Sequence, residues 1–457
     1  MADELIPFDA AAAAGSRLPV SVRTEIGALS AVSSRVNAAR MSILPAPIAG
    51  SRPTWFERFY TDTGRSTRTE HTAVEEMTLI FLTYANYGNI DTEPNSAIKV
   101  RAGLEYPLGT FYKAHFTGED ASRDATIAPG AFLSTQGIAV RIPKGAKYYV
   151  NTLVVPVTAG GQYPAGGLSV NPNGNERVTV GTTDYTTATN PGSTTLSYFG
   201  YGPVAITAQL TNPVESWALV GDSIFAGVGD QVSNSNETGW GARVFNAKGV
   251  PYVNVALSGE DGANWGEGSA VEIARHRFRA LLAAAADKAL CEHGTNDFGN
   301  NNRTVAVVQT NAISRWTQLR RRGGLVYQTT ITPRTTSTDA WVTAANQAAV
   351  NARFGPESGN SGAGSDQRIF NQWLRDGAPM LNGVAVATGT NAAGTIRAGS
   401  ATHPLAGIVD VAPAVEQFEA STNTWVWKPN MTADGIHPNV AGHTAIAALA
   451  TSIMFPA

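Results

Sequence analysis

The spacing of apolar positions changes twice along the chain. Over residues 22–40, Val22, Ile26, Leu29, Val32 and Val36 recur at steps of three and four, the period of an amphipathic helix. Val22, Leu29 and Val36 also keep a seven-residue spacing. That helix reads either as packed on its own protein or as a short self-association element, the basis for a homo-oligomer. From 54 to 212 the period drops to two, in β-branched runs at 77–87, 97–104, 110–116, 138–142, 148–157, 177–180 and 204–210. Gly, Pro, Asn and Asp clusters separate them, which predicts a β-sandwich or jelly-roll-like domain. Beyond 213, strand-length runs at 216–220, 252–257, 289–293 and 325–332 alternate with helical patterns at 241–248, 269–286, 304–321, 340–354, 367–375 and 440–453. This alternation predicts a parallel sheet with right-handed crossovers and helices on both faces. Segments 355–365 and 376–403 break the rhythm with Gly, Ser, Asn and Thr and read as surface insertions near a cleft. The chain therefore divides into an extension (1–53), an accessory β domain (54–212) and an α/β domain (213–457).

Composition narrows the function classes. The chain has 457 residues, 43% hydrophobic and 15% charged, enough for two or three globular domains with ample core. A net charge of −3 offers no basic footprint for nucleic acid and no polybasic patch for a membrane. No run approaches the roughly 18 apolar residues of a spanning helix, and Met1–Ile6 lacks the positively charged start and long apolar core of an ordinary signal peptide. The compartment stays open, an exported or virion-associated use included. The lone Cys291 excludes an internal disulfide framework and reads as a small core residue. No metal or cofactor is expected. His71, His115, His276, His403 and His443 lack metal-ligand spacing, and Gly227-Val228-Gly229 lacks the third glycine of a dinucleotide loop.

The chemistry gathers at strand ends. The run 216–220 stops at Gly221-Asp222-Ser223-Ile224. Alone, such a tripeptide is usually only a turn. The second strand, however, runs into Gly259 and the third into Gly294-Thr295-Asn296-Asp297. Parallel strands align their carboxyl ends, so Ser223, Gly259 and Asn296 are expected on one rim. Near the end, Asp434-Gly435-Ile436-His437-Pro438 places a carboxylate and an imidazole three residues apart. A turn through Gly435 would let Asp434 hold one ring nitrogen while the other faces Ser223.

With these four blocks in order, the chain over about residues 214–457 resembles the SGNH (GDSL-type) hydrolase family, Ile224 standing at the family's leucine. The resemblance implies a three-layer α/β/α, flavodoxin-like fold and ester hydrolysis. It implies Ser223 as nucleophile, His437 as base and Asp434 as the acid that orients it. The oxyanion hole it implies comprises the Ser223 and Gly259 N–H groups and the Asn296 carboxamide. Asp222 reads as stabilising the turn, Asp297 as supporting the Asn296 loop, His293 as a supporting or core residue, and His443 as structural. The other common serine-esterase pattern, Gly-x-Ser-x-Gly, fails at Phe225. The appended β domain, polar loops and lack of an apolar lid pattern point to an acylated, most simply acetylated, carbohydrate as substrate. A lipase or arylesterase of broad specificity, or a carbohydrate-binding or virion surface protein carrying the hydrolase fold, are the alternatives. Tyr106, Tyr112, Tyr148, Tyr149 and Tyr163 are candidates to stack on sugar rings, or else core.

Overall fold

The computed structural model describes residues 44–51, 53, 58–87, 94–116, 123–169, 176–189, 199–230, 239–263, 265, 278–320, 323–357 and 364–456. The amphipathic segment 22–40, with its self-association reading, lies outside them, as do residues 269–277.

In the N-terminal half the period-two runs become antiparallel sheets. One sheet runs in the order Arg177–Val180, Arg65–Thr72, Lys147–Pro156, Ile98–Glu105 and Phe111–Lys113, with Asp124–Ile127 also on Ile98–Glu105. A second is built on Met77–Asn86, flanked by Ala205–Leu210 on one side and by Ala131–Ser134 and Ile138–Ile142. The two sheets touch where the Tyr84 hydroxyl meets Thr152 Oγ1 at 3.0 Å. The alternating burial of Ile138–Ile142 is that of a strand with one wet face. Tyr148, Tyr149 and Tyr163 are buried, so three of the five tyrosines offered for sugar stacking belong to the core.

Strand Arg65–Thr72 carries no apolar run, yet all its residues except Thr72 are buried. Its polar groups are satisfied internally. Arg68 donates to Glu105 at 2.8 Å with its guanidinium 3.6 Å over the Tyr149 ring, and Ser66 donates to the Thr183 carbonyl at 2.6 Å.

The C-terminal half is a five-stranded parallel sheet: β1 (Trp217–Val220), β2 (Tyr252–Asn254), β3 (Lys288–Cys291), β4 (Leu325–Thr329) and β5 (Gly407–Val409). Their spatial order is β2-β1-β3-β4-β5, the flavodoxin-like order, with its switch point between β1 and β3. Helices α1 (Trp240–Lys248), α2 (Thr295–Gly299), α3 (Val305–Arg320), α4 (Asp366–Arg375) and α5 (Val440–Met454) accompany it. Register pairs Trp217 with both Tyr252 and Lys288, and Val220 with Cys291. The three strand ends that lead to Ser223, Gly259 and Asn296 are therefore level.

The helix expected over 340–354 is absent. Thr335–Ser337 and Gln347–Ala349 pair as a hairpin, and between them Ala340 and Trp341 take positive φ. Ser337 and Asp339 divert the backbone: Ser337 Oγ accepts the Trp341 N–H and the Asp339 carboxylate accepts the Thr343 N–H. Such local side-chain bonds compete with helix formation.

The two halves meet at the amino-terminal edge of the parallel sheet. The Tyr252 N–H, at the start of β2, donates to the Gly50 carbonyl at 3.1 Å. Phe278 packs on Phe132 at 4.5 Å and on Tyr87 at 5.7 Å. A cavity of about 600 Å³ at this junction is lined by Leu44, Ile48, Leu210, Val214, Ser216 and Asp287, the last two directly preceding β1 and β3. The N-terminal sheets thus dock opposite the carboxyl ends of the strands.

Candidate active site

After β1 the chain turns at Gly221, where an added Cβ would lie 2.7 Å from the Phe225 ring and 2.8 Å from Glu292 Oε2. The turn is locked by Asp222 Oδ1, which accepts the Ile224 N–H at 2.9 Å, and by Val228 N–H donating to the Ser223 carbonyl at 3.0 Å. Ser223 is left 7% exposed, its hydroxyl toward the rim.

Asp434 and His437 reach it from the segment before α5. Gly435 has φ of 78°, and an added Cβ would strike the Thr335 carbonyl and the Trp341 ring. The turn is tight enough for Asp434 Oδ1 to accept the Ile436 and His437 N–H groups at 2.9 and 2.8 Å. Asp434 Oδ2 meets His437 Nδ1 at 2.6 Å, and His437 Nε2 meets Ser223 Oγ at 2.8 Å. Partial burial opposes ionisation of Asp434. The bonds from the His437 ring and from the His437 and Ile436 N–H groups outweigh it and hold the carboxyl well below the usual carboxylate range.

On the other side, Gly259 (φ 84°) leads into Glu260. Asn296 Nδ2 donates to the Glu260 carbonyl at 3.0 Å and to Asp222 Oδ2 at 3.3 Å, tying all three strand ends together. Asp297 Oδ2 accepts the Gly262 N–H at 2.8 Å, which fastens the loop after β2 to α2. Among the described residues no group of three or more His, Cys, Asp or Glu side chains is arranged to hold a metal ion.

Three features were not read from the sequence. Glu260 is buried under Gly259, with Arg279 donating to both its carboxylate oxygens at 2.6 and 2.7 Å and His293 Nε2 at 2.9 Å. Glu292 lies buried against Asp222. Arg334 reaches Asn300, beside Asn296. A charged residue inside an apolar run, as in Leu290-Cys291-Glu292, was the available signal. His443 accepts the Trp240 N–H at Nδ1 (3.1 Å), and burial lowers its pKa to about 4, so it stays neutral.

Burial pushes Glu292 well above the ordinary carboxyl range, and the neighbouring Asp222 carboxyl adds to the shift; Asp222 is itself raised, chiefly by burial. Both folded-state values lie above the unfolded ones. The protonated pair therefore contributes stability at low pH that is lost as pH rises above the unfolded Glu value of 4.5. Glu292→Gln should flatten this: its melting temperature should fall less between about pH 5 and pH 8 than that of the parent protein. Parallel melting curves would show that the pair carries no such linkage.

Residues 219–445 match the model of the GDSL-like lipase/acylhydrolase family. No curated protein matches the chain. Among solved structures, it is similar to a family 2 carbohydrate esterase with its carbohydrate-binding domain from Corynascus thermopiles (Myceliophthora fergusii), at 14% identity over 88% of this chain and 97% of that one, TM-score 0.31. A family two carbohydrate esterase from Clostridium thermocellum in complex with cellohexaose matches at 12% identity over 88% and 97%, TM-score 0.33. A GDSL-like lipase from Bacteroides thetaiotaomicron matches at 16% identity over 54% and 91%, TM-score 0.32.

Proposed function

Residues 219–445 belong to the GDSL-like lipase/acylhydrolase family, which makes the chain a carboxylic ester hydrolase, and from that premise we propose that it is a serine esterase removing small acyl groups, most specifically acetyl, from carbohydrate. The observation that carries the reading is the unbroken chain from Ser223 Oγ through His437 to Asp434.

Ser223 Oγ attacks the ester carbonyl carbon while His437 Nε2 takes its proton. Asp434 holds the imidazole in the tautomer that presents an unprotonated Nε2, and it steadies the imidazolium that forms. The carbonyl oxygen gains charge and is met by the Ser223 and Gly259 N–H groups and by Asn296 Nδ2. Of the two bonds made by Asn296 Nδ2, the longer one, to Asp222 at 3.3 Å, is the one the oxyanion replaces. Collapse breaks the C–O bond, His437 returns the proton to the departing alcohol, and water repeats the sequence on the acyl-serine. Replacing Asn296 by alanine removes one donor and should lower kcat by about 10²–10³-fold with little change in KM. Unchanged kcat would take Asn296 out of the mechanism.

Two observations support a carbohydrate as the alcohol. The side chains around α2 are polar, with Asn300, Asn301, Arg303 and Arg334 close by. The N-terminal half, which we take as a sandwich-type accessory domain over 54–212, docks in its described residues on the edge opposite the rim. Acetylated xylan and glucomannan, set against a p-nitrophenyl ester series of rising acyl length, test the choice. Turnover of the acetylated polymers with preference for acetyl is expected; preference for acyl chains of about eight carbons or more would favour a lipase.

A further inference from the structure

We propose that Arg334 and Asn300 are positioning residues for Asn296: they form a one-way chain of donors that presents Asn296 Nδ2 to the developing oxyanion. The inference rests on the oxyanion role proposed above for Asn296.

A carboxamide has a donor end and an acceptor end of nearly the same shape, so its orientation is set by its partners. Asn296 has partners on both sides. Its Nδ2 faces two acceptors, the Glu260 carbonyl and Asp222 Oδ2, and its Oδ1 accepts from Asn300 Nδ2 at 3.0 Å. Asn300 is equally two-faced, and its own orientation must come from further out. Arg334 Nη2 donates to Asn300 Oδ1 at 2.7 Å. A guanidinium has five donors and no acceptor, so it admits only the oxygen of Asn300 and turns the amide nitrogen toward Asn296.

The polarity runs in one direction, from guanidinium to Asn300 to Asn296 and on to the reacting oxygen. Each bond polarises the next. The surroundings make room for this arrangement. Arg334 is 8% exposed, and Gly299 is the residue where a Cβ would collide with its guanidinium. Arg334 follows β4 while Asn300 and Asn296 follow β3, so the chain also ties the hairpin at Thr335–Ser337 to α2.

Kinetics on p-nitrophenyl acetate separate positioning from a structural role. Asn300→Asp cannot donate to Asn296 Oδ1 and repels it; kcat should fall by about tenfold or more with KM within about twofold. In an Asn296→Ala background the same substitution should change kcat by less than about twofold, because there is no amide left to orient. Arg334→Lys, which keeps a donor, should retain more kcat than Arg334→Met. Parental kcat in Asn300→Asp, or an equal fall in both backgrounds, would overturn the inference. Full kcat in Asn296→Ala alone would instead overturn the oxyanion role itself, and a fall there with none in Asn300→Asp would overturn only the chain.

Discussion

Ser223→Ala should lose about 10⁴–10⁶-fold in kcat while keeping KM and the melting temperature near parental values. The side chain is small, and its hydroxyl makes the 2.8 Å contact to His437 Nε2 at the rim. Removing it leaves no cavity of consequence and strands no fully buried polar group. The chemistry, on the proposed mechanism, loses the atom that attacks. Residual turnover would come from binding and the oxyanion donors alone, which retain part of the catalysis when a nucleophile is deleted. Steady-state kinetics on p-nitrophenyl acetate, with circular dichroism melts alongside, check both halves of the prediction. A variant keeping more than about one per cent of parental kcat would place the nucleophile elsewhere.

Glu260→Ala should be the most damaging change to stability, by about 3–5 kcal/mol. Glu260, Arg279 and His293 have side chains with no exposure to solvent. Arg279 also donates to the Val255 carbonyl, on the stretch after β2, and its guanidinium lies 4.9 Å from the centre of the Trp265 ring. Deleting the carboxylate takes from the buried guanidinium the two charge-assisted hydrogen bonds it makes to Glu260. The cost is that of losing a buried opposite charge, and it exceeds the net worth of the pair. Urea unfolding measures it, and the double variant Glu260→Met with Arg279→Met should recover a large part of the loss. No recovery would point to packing instead of charge. Activity should fall as well, since the Glu260 side chain, through Arg279 and His293, anchors the backbone directly after Gly259, where the Glu260 carbonyl accepts from Asn296.

The parallel half was legible because its signals agree. Apolar runs of strand length alternate with helical spacing, and each of the first three runs ends in a turn bearing Ser223, Gly259 or Asn296. Asp434 and His437 could be paired in advance because three residues with a glycine between them allow a side chain to fold back on its own turn. Other parts lay outside such patterns. Strand Arg65–Thr72 is buried yet polar, so hydropathy passes over it; it is satisfied by Glu105, Tyr149 and Thr183, distant in sequence. The 340–354 segment has helical spacing, but Ser337 and Asp339 bind nearby backbone and hold it as a hairpin. The short β5, Gly407–Val409, has too few residues to show a period. Glu260, Arg279, Glu292 and Arg334 acquire their meaning only in three dimensions, where burial makes a charge demand a partner or, at Glu292, pushes the carboxyl toward its neutral form.

The most direct test of the account is to treat the full-length protein with a fluorophosphonate and locate the adduct by mass spectrometry. A single phosphonylated residue, Ser223, appearing in step with loss of esterase activity, is the expected result. An adduct on another residue that tracks the loss, or full inhibition with Ser223 unmodified, would contradict it.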